Sequence, residues 1–268
     1  MPNIATLTRP GDGVAVVTLD LTASQGFVSW EAVNALADGL IEAREGGARA
    51  TVLASAGEGH WYQHAWLRDL LAMVTGAAPS GDPGGWWRAL AEIAHTDVVT
   101  IAAINGDCAG GGAELGWACD LRIAEEQAWF GQPEVAIDLA TGLGGASRLA
   151  RLIGRTAAAE MVFTGAPMTA LRIYELGGVN RVVPRGTAVE TSVRWATHLA
   201  GRPTHAIRAL KQMLNDNDEM TLTDALANEQ RLFGTTVTSA EGIEGMRRTQ
   251  ARFDAGESMR DVYGAPSS

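Results

Sequence analysis

Short runs of apolar, β-branched residues alternate along this chain with longer runs in which apolar residues recur every three or four positions. GVAVVTLDL (residues 13–21) has the alternation and branching of a strand, and SWEAVNALADGLIEAREGG (29–47) has helical spacing closed by a glycine stop. RATVLASA (49–56) reads as the next strand, so the opening is strand, helix, strand. WWRALAEIAHT (86–96) follows as a helix, VVTIAAIN (98–105) as a buried strand, and GDCAGGGAELGWACD (106–120) as a glycine-rich turn running into a helix. LRIAEEQAWFGQPEV (121–135) is expected to return as a pair of strands.

Alternation of this kind through about residue 185 selects an α/β architecture with strands covered by helices. From about residue 187 the pattern changes. TAVETSVRWATHLAGR, THAIRALKQMLNDND and TLTDALANEQRLFGTTVTSAEGIEGMRRTQARF form three helical stretches with few strand signals. The expected organisation is a core over residues 1–190 that carries the chemistry, then a helical region over 191–268 that can pack on a partner subunit.

Composition narrows the function classes. With 46% hydrophobic and 19% charged residues in 268, the chain is an ordinary globular one, long enough to bury a core without staples. No apolar run is long enough to span a bilayer, so no membrane is expected as a partner. The N-terminus lacks the basic start and long apolar stretch of a signal peptide, which makes a cytoplasmic location the default expectation. Cys108 and Cys119 read as reduced, buried thiols. A formal charge of −10 argues against a nucleic-acid surface, and Lys211 is the only lysine. Any anionic ligand must be held locally.

The chemistry concentrates in residues 98–145. Gly110, Gly112 and Gly116 follow a strand and open a helix, as a dinucleotide-binding loop would, although their spacing is not the usual fingerprint and no partner half is recognisable. Alternatively, the glycines bring backbone N–H groups, with Gly111 the favoured donor, against a developing oxyanion at the helix N-terminus. Glu114 in the first turn of that helix and Glu134 after the next strand would then converge as paired carboxylates, which suit proton transfer beside a carbonyl. Coupling spreads the titrations of such a pair, fitting one for base and one for acid. Spacing alone leaves open that Glu114 caps a helix and Glu134 is an exposed loop acid. In GHWYQHAWLRDL (59–70), His60 and His64 stand four apart, as helical zinc ligands do. The H-E-x-x-H pattern is absent, no cysteine cluster is near, and no metal is expected. No G-x-S-x-G elbow or phosphate-binding P-loop occurs.

IAAINGDCAGGGAELGWACDLRIA, FGQPEVAIDLATGLGG and EMVFTGAPMTALRIYELGGVNRVVP closely resemble the crotonase superfamily, enoyl-CoA hydratases in particular. The likeness continues through MTLTDALANEQRLF and EGIEGMRR, covering most of the chain from about residue 98. The resemblance implies a spiral of repeated β-β-α units, a C-terminal helical trimerisation region and a homotrimer or a hexamer made of two trimers. It implies an acyl-CoA thioester as substrate, coenzyme A being part of that substrate and no separate cofactor being needed. On it, Glu114 and Glu134 match the two acid/base glutamates, while Gly111 and Ala65 match the two oxyanion donors. The implied reaction is syn addition of water across a 2-enoyl thioester, with Glu114 activating water and Glu134 exchanging the α proton.

The chain also departs from the family's pattern. Within WYQHAW, Trp61 stands for a phenylalanine, His64 for a glycine and Trp66 for an aspartate; the glycine-to-histidine exchange should restrict the backbone at Ala65. The loop TASQGFVSW (22–30) has no basic side chain for the nucleotide, which leaves Arg68, or Arg247, Arg248 and Arg252, as candidates for the phosphates. Asp138 takes a position usually held by glycine and is either a third acid facing the acyl chain or a capping residue. His64, Trp66, Asp138 and Arg68 are therefore the candidate substrate contacts. Trp61, Trp66, Trp86 and Trp87 suggest a narrowed or aromatic-accepting acyl pocket. Competing readings are an enoyl-CoA isomerase, a carbon–carbon hydrolase of β-dicarbonyls, and a non-catalytic acyl-CoA-binding member of the fold, which retention of both glutamates disfavours.

Overall fold

The strand-like runs of the sequence do form strands, but two sheets share them. In the computed structural model, which describes residues 4–264, the chain enters through β1 (Ala5–Gly11) and β2 (Val14–Leu19), then passes α1 (Trp30–Glu45). Next come β3 (Ala50–Ser55), β4 (Gly59–His60), α2 (Leu67–Thr75) and α3 (Gly85–Ala94). Then follow β5 (Val99–Ile104), β6 (Gly106–Ala109) and α4 (Gly110–Ala118). β7 (Leu121–Glu125), β8 (Trp129–Gly131), α5 (Ser147–Ile153) and α6 (Arg155–Thr164) repeat the sequence of elements, and β9 (Met168–Thr169), α7 (Ala170–Glu175), β10 (Arg181–Val183) and α8 (Ala188–Ala200) close it.

One sheet has the order β1-β2-β3-β5-β7-β10, the other β4-β6-β8-β9. In the first, only β1 and β2 are antiparallel. The chain thus lays one strand in the large sheet and one in the small sheet before each helical return, three times over, as a β-β-α spiral does. β7 and β8, expected as a pair, lie in different sheets for this reason.

The large sheet is apolar on both faces, the usual condition of buried parallel strands. Ala15, Val17 and Leu19 join α1 and α3 in one cluster, while Val14, Val16, Val52 and Ile101 pack under Ala188, Ala196 and Ala200 of α8 in a second. That packing decides where the chain divides. Its two compact units meet at Ala200/Gly201, whereas the sequence reading drew the line at residue 190 and gave this helix to the appendage. β1 has a mostly polar, exposed pattern with Pro10 inside it, tolerable only on an edge, and periodicity gives it little signal.

The second unit holds α9 (Thr204–Asn217), α10 (Leu222–Val237), α11 (Ala240–Asp254) and α12 (Met259–Tyr263). The last predicted helical stretch is two helices, because the Ser239 side chain accepts from Gly242 N–H at 3.0 Å and caps the start of α11. Leu214, Leu226, Phe233 and Met246 are exposed on these helices. Among the described residues, no helix is long and apolar enough to cross a membrane.

Candidate active site

After β4 the chain bends at Trp61 and again at His64 before it reaches Ala65. Val28 and Ala65 form an isolated parallel bridge: Val28 N–H donates to the His64 carbonyl at 3.2 Å, and Trp66 N–H donates to the Val28 carbonyl at 2.9 Å. In a parallel bridge the residues on either side of the bridged one supply both hydrogen bonds, so its own N–H faces the other way. The Ala65 N–H is thereby directed away from Val28. Across from it stands the start of α4, where a Cβ built on Gly111 would lie 3.4 Å from the Ala65 nitrogen. The Gly111 N–H is in the first helical turn, where no intrahelical acceptor exists. Among the described residues, neither N–H donates to a protein group. The two proposed oxyanion donors are neighbours.

Two glycines make this approach possible. Gly110 has φ +48°, and a Cβ there would come 2.7 Å from the His64 Cβ. A Cβ on Gly112 would overlap the carbonyl oxygens of Tyr62 and Gln63. The backbone restriction expected from histidine at position 64 is harmless, because among the described residues only Gln25 and Asp138 have a positive φ without being glycine. The His64 Nδ1 lies 2.8 Å from the Ala65 carbonyl oxygen, and its ring packs 4.5 Å from that of Phe27. A carbonyl only accepts, so Nδ1 carries the proton in that bond.

Glu114 is the fifth residue of α4, one turn deeper than the sequence reading placed it, and it caps nothing. It is buried at 2% exposure, and its Oε1 accepts from the backbone N–H groups of Leu143 at 2.8 Å and Gly145 at 2.7 Å. Glu134 opens a single 3-10 turn (Glu134–Ile137) after β8 and is half-buried rather than an exposed loop acid. Burial pushes its carboxyl above the ordinary range; its own backbone N–H opposes that, and the nearby charge of Glu114 adds to it.

Gln132, fully buried, was not singled out by the sequence. With its amide oriented to suit its neighbours, the oxygen accepts from Trp117 Nε1 at 3.0 Å and the nitrogen donates to Glu134 at 2.9 and 3.2 Å. An amide two residues before an acid in FGQPE was the available signal.

Ala65, Gly111, Glu114 and Glu134 all line one cavity of about 460 Å³, within the ordinary size range of small-molecule sites. His64 borders this cavity and also a neighbouring cleft, which contains Gln25, Phe27, Trp66 and Arg68. Arg68 stacks over the Trp66 ring at 5.1 Å. Trp66 and Arg68 are therefore placed beside the cavity rather than in it. Trp61 is wholly buried, donating to the Leu53 carbonyl at 3.3 Å and stacking on Tyr62, so it belongs to the core; Trp30, overlooked in the sequence, joins Trp86 and Trp87 in the cavity wall.

Asp138 is exposed, lies outside the cavity lining and ends the 3-10 turn with φ +58°. Its left-handed conformation suits glycine best and aspartate better than most residues, so its capping alternative is the one seen. Arg252 is paired with Glu257 and Arg247 lies 3.8 Å from Glu244, all within the second unit. His60 ends β4 and His64 lies at a bend, so they do not share a helix face, and His60 Nδ1 accepts from Gln63 Nε2 at 3.1 Å. Among the described residues, no group of three or more His, Cys, Asp or Glu is placed to hold a metal ion. Cys108 and Cys119 are both buried, and they are not joined in a disulfide.

A family model described as enoyl-CoA hydratase/isomerase matches residues 9–254. A probable mitochondrial enoyl-CoA hydratase of Dictyostelium discoideum is 31% identical over 224 residues, covering 81% of this chain and 80% of that protein. The mitochondrial enoyl-CoA hydratase of Pongo abelii is 32% identical, covering 81% of this chain and 76% of its own. Among solved structures, an enoyl-CoA hydratase from Bacillus anthracis superposes with a TM-score of 0.83 at 26% identity, covering 93% of this chain and 96% of that one.

Proposed function

The chain belongs to the enoyl-CoA hydratase/isomerase family of the crotonase superfamily, and from that premise we propose that it adds water across, or removes it from, a 2-enoyl-CoA thioester. The observation that carries this reading is the convergence of Ala65 N–H, Gly111 N–H, Glu114 and Glu134 on one cavity. A thioester oxygen seated between the two N–H groups gains their hydrogen bonds most strongly when it becomes an enolate oxygen, so the donors favour the transition state over the ground state.

Glu114, its Oε1 held in place by two backbone N–H groups, orients a water and takes its proton as the oxygen bonds to the β-carbon. Glu134, whose surroundings favour the protonated form, delivers a proton to the α-carbon and collapses the enolate. Hydroxyl and hydrogen then stand on one face of the former double bond. Coenzyme A enters as part of the substrate and leaves with the product, and the chemistry calls for no further cofactor. In this reading the nucleotide end follows the cleft past Gln25 and Phe27, where Arg68 supplies positive charge for a phosphate.

The exposed apolar side chains of α9, α10 and α11 support assembly into a trimer or a pair of trimers through the second unit. Incubation with crotonyl-CoA tests the proposed reaction directly. The enoyl-thioester absorbance should fall in the presence of the protein, and an unchanged spectrum rejects simple hydratase activity.

A further inference from the structure

Three indoles form part of the cavity wall. Trp30 opens α1, Trp86 and Trp87 lie in the first turn of α3, and all three line the cavity. Trp86 reaches the catalytic end, since the edge of its ring is 3.1 Å from where a Cβ on Gly111 would stand. An acyl group whose carbonyl is seated at Gly111 therefore lies within reach of an indole.

This wall is fixed before any ligand arrives. The Asp69 carboxylate, 3% exposed, accepts from Trp30 N–H at 2.8 Å, Ser80 N–H at 2.8 Å and the Ser80 hydroxyl at 2.7 Å. One side chain on α2 thus ties the start of α1 to the loop that leads into α3. Added Cβ atoms would come within 2.8 Å of Asn34 at Gly85 and 3.0 Å of the Glu31 nitrogen at Gly81, so that loop and α3 press closely on α1. Trp30 and Trp86, both buried, cannot part easily to form a wider channel.

Apart from the indole N–H groups, the only polar lining side chains are His64, Glu114 and Glu134, and all three border the catalytic end. A charged acyl tail would meet no arginine or lysine in the lining and, beyond the catalytic glutamates and His64, only apolar walls and indoles. Flat rings gain offset or edge-on contacts with indoles beyond their buried area, and a rigid ring loses less conformational freedom than an alkyl chain of equal size. We propose that the preferred substrate is a 3-aryl-2-enoyl thioester whose ring seats against Trp30, Trp86 and Trp87. The thioester part of this assignment rests on the hydratase reading.

The test compares two saturated, unreactive thioesters with equal acyl carbon counts, 3-phenylpropanoyl-CoA and nonanoyl-CoA, by calorimetric titration of the whole protein. The aryl thioester should bind on the order of 10-fold more tightly, and Trp86→Leu should remove most of that preference. Equal binding, or tighter binding of nonanoyl-CoA, overturns the proposal. So does a preference that survives unchanged in both Trp86→Leu and Trp87→Ala. Should Trp86→Leu fail to fold, the wild-type comparison and Trp87→Ala, at a position 63% exposed, still decide. Aryl preference in a protein that hydrates no enoyl thioester keeps the pocket assignment and removes the hydratase reading; hydration of crotonyl-CoA without aryl preference does the reverse.

Discussion

At the start of α4 an added methyl group has nowhere to go, whereas the segment facing it carries an imidazole at position 64 and indoles at 61 and 66. Both regions contribute one backbone N–H to the same cavity. On the helix side the donor is reached only because Gly110 adopts φ +48° and Gly112 lies against the carbonyls of Tyr62 and Gln63. On the other side the bridge to Val28 aims the Ala65 N–H, and the side chains at 64 and 66 extend into the neighbouring cleft. The difference teaches that a backbone donor constrains sequence through space and φ. Where both are unrestricted, even a glycine-to-histidine exchange is compatible with the geometry.

The comparison breaks most sharply at the acid on the helix side. Glu114→Gln should lower kcat by about 10²–10⁴-fold while leaving the fold intact, because an amide of equal size cannot take a proton from water. Steady-state hydration of crotonyl-CoA measures it, and a loss under 10-fold would count against Glu114 as the base.

Next in size is Gly112→Ala, which forces a methyl into the Tyr62 and Gln63 carbonyls. It should push the two donors apart, costing about 10²–10³-fold in kcat, the scale of losing one oxyanion donor, together with about 1–3 kcal/mol of stability from overpacking. Urea unfolding alongside kinetics separates the two effects. His64→Gly sharpens the comparison from the tolerant side. It should cost about 0.5–1 kcal/mol through added backbone freedom and change kcat by less than about 10-fold, since the bridge to Val28 persists. A loss as large as that of Gly112→Ala would erase the distinction between the halves.

The smallest effect is in titration. Glu134 is raised by burial and by the charge of Glu114, so Glu114→Gln should lower its midpoint without returning it to that of an exposed glutamate. Carbon-13 NMR of labelled glutamate reads the shift. A carboxyl raised in the folded state stabilises the fold fully only at low pH, and that contribution is lost as pH climbs through the folded value. Glu134→Gln should therefore gain stability over the wild type across that rise, and urea midpoints that keep a constant separation with pH would refute the sign.

Much of this was already written in the chain. Apolar, β-branched runs such as residues 98–105 demand a covered strand wherever they are placed, and α1 follows from apolar spacing, the cap at Ser29 and glycine at its end. The glycine run and the two glutamates were legible because their chemistry depends on residue type. The edge strand β1 and the break at Ser239 were not, since neither changes hydrophobic periodicity strongly. Nor was Gln132, whose role depends on meeting Trp117 and Glu134 together.

By itself, then, the sequence determined the α/β alternation, two glutamates as candidate acids and the glycines that let a helix start approach another backbone. Tertiary structure alone decided that β7 and β8 belong to different sheets, that α8 covers the large sheet, and that Asp138 ends a turn instead of facing a ligand. It also sorted the tryptophans, sending Trp61 to the core and Trp66 to the cleft while bringing Trp30 into the cavity wall. The physical reason is range: periodicity and residue chemistry are local properties of the chain, whereas the direction of an N–H and the neighbour of an indole are fixed only when distant segments pack.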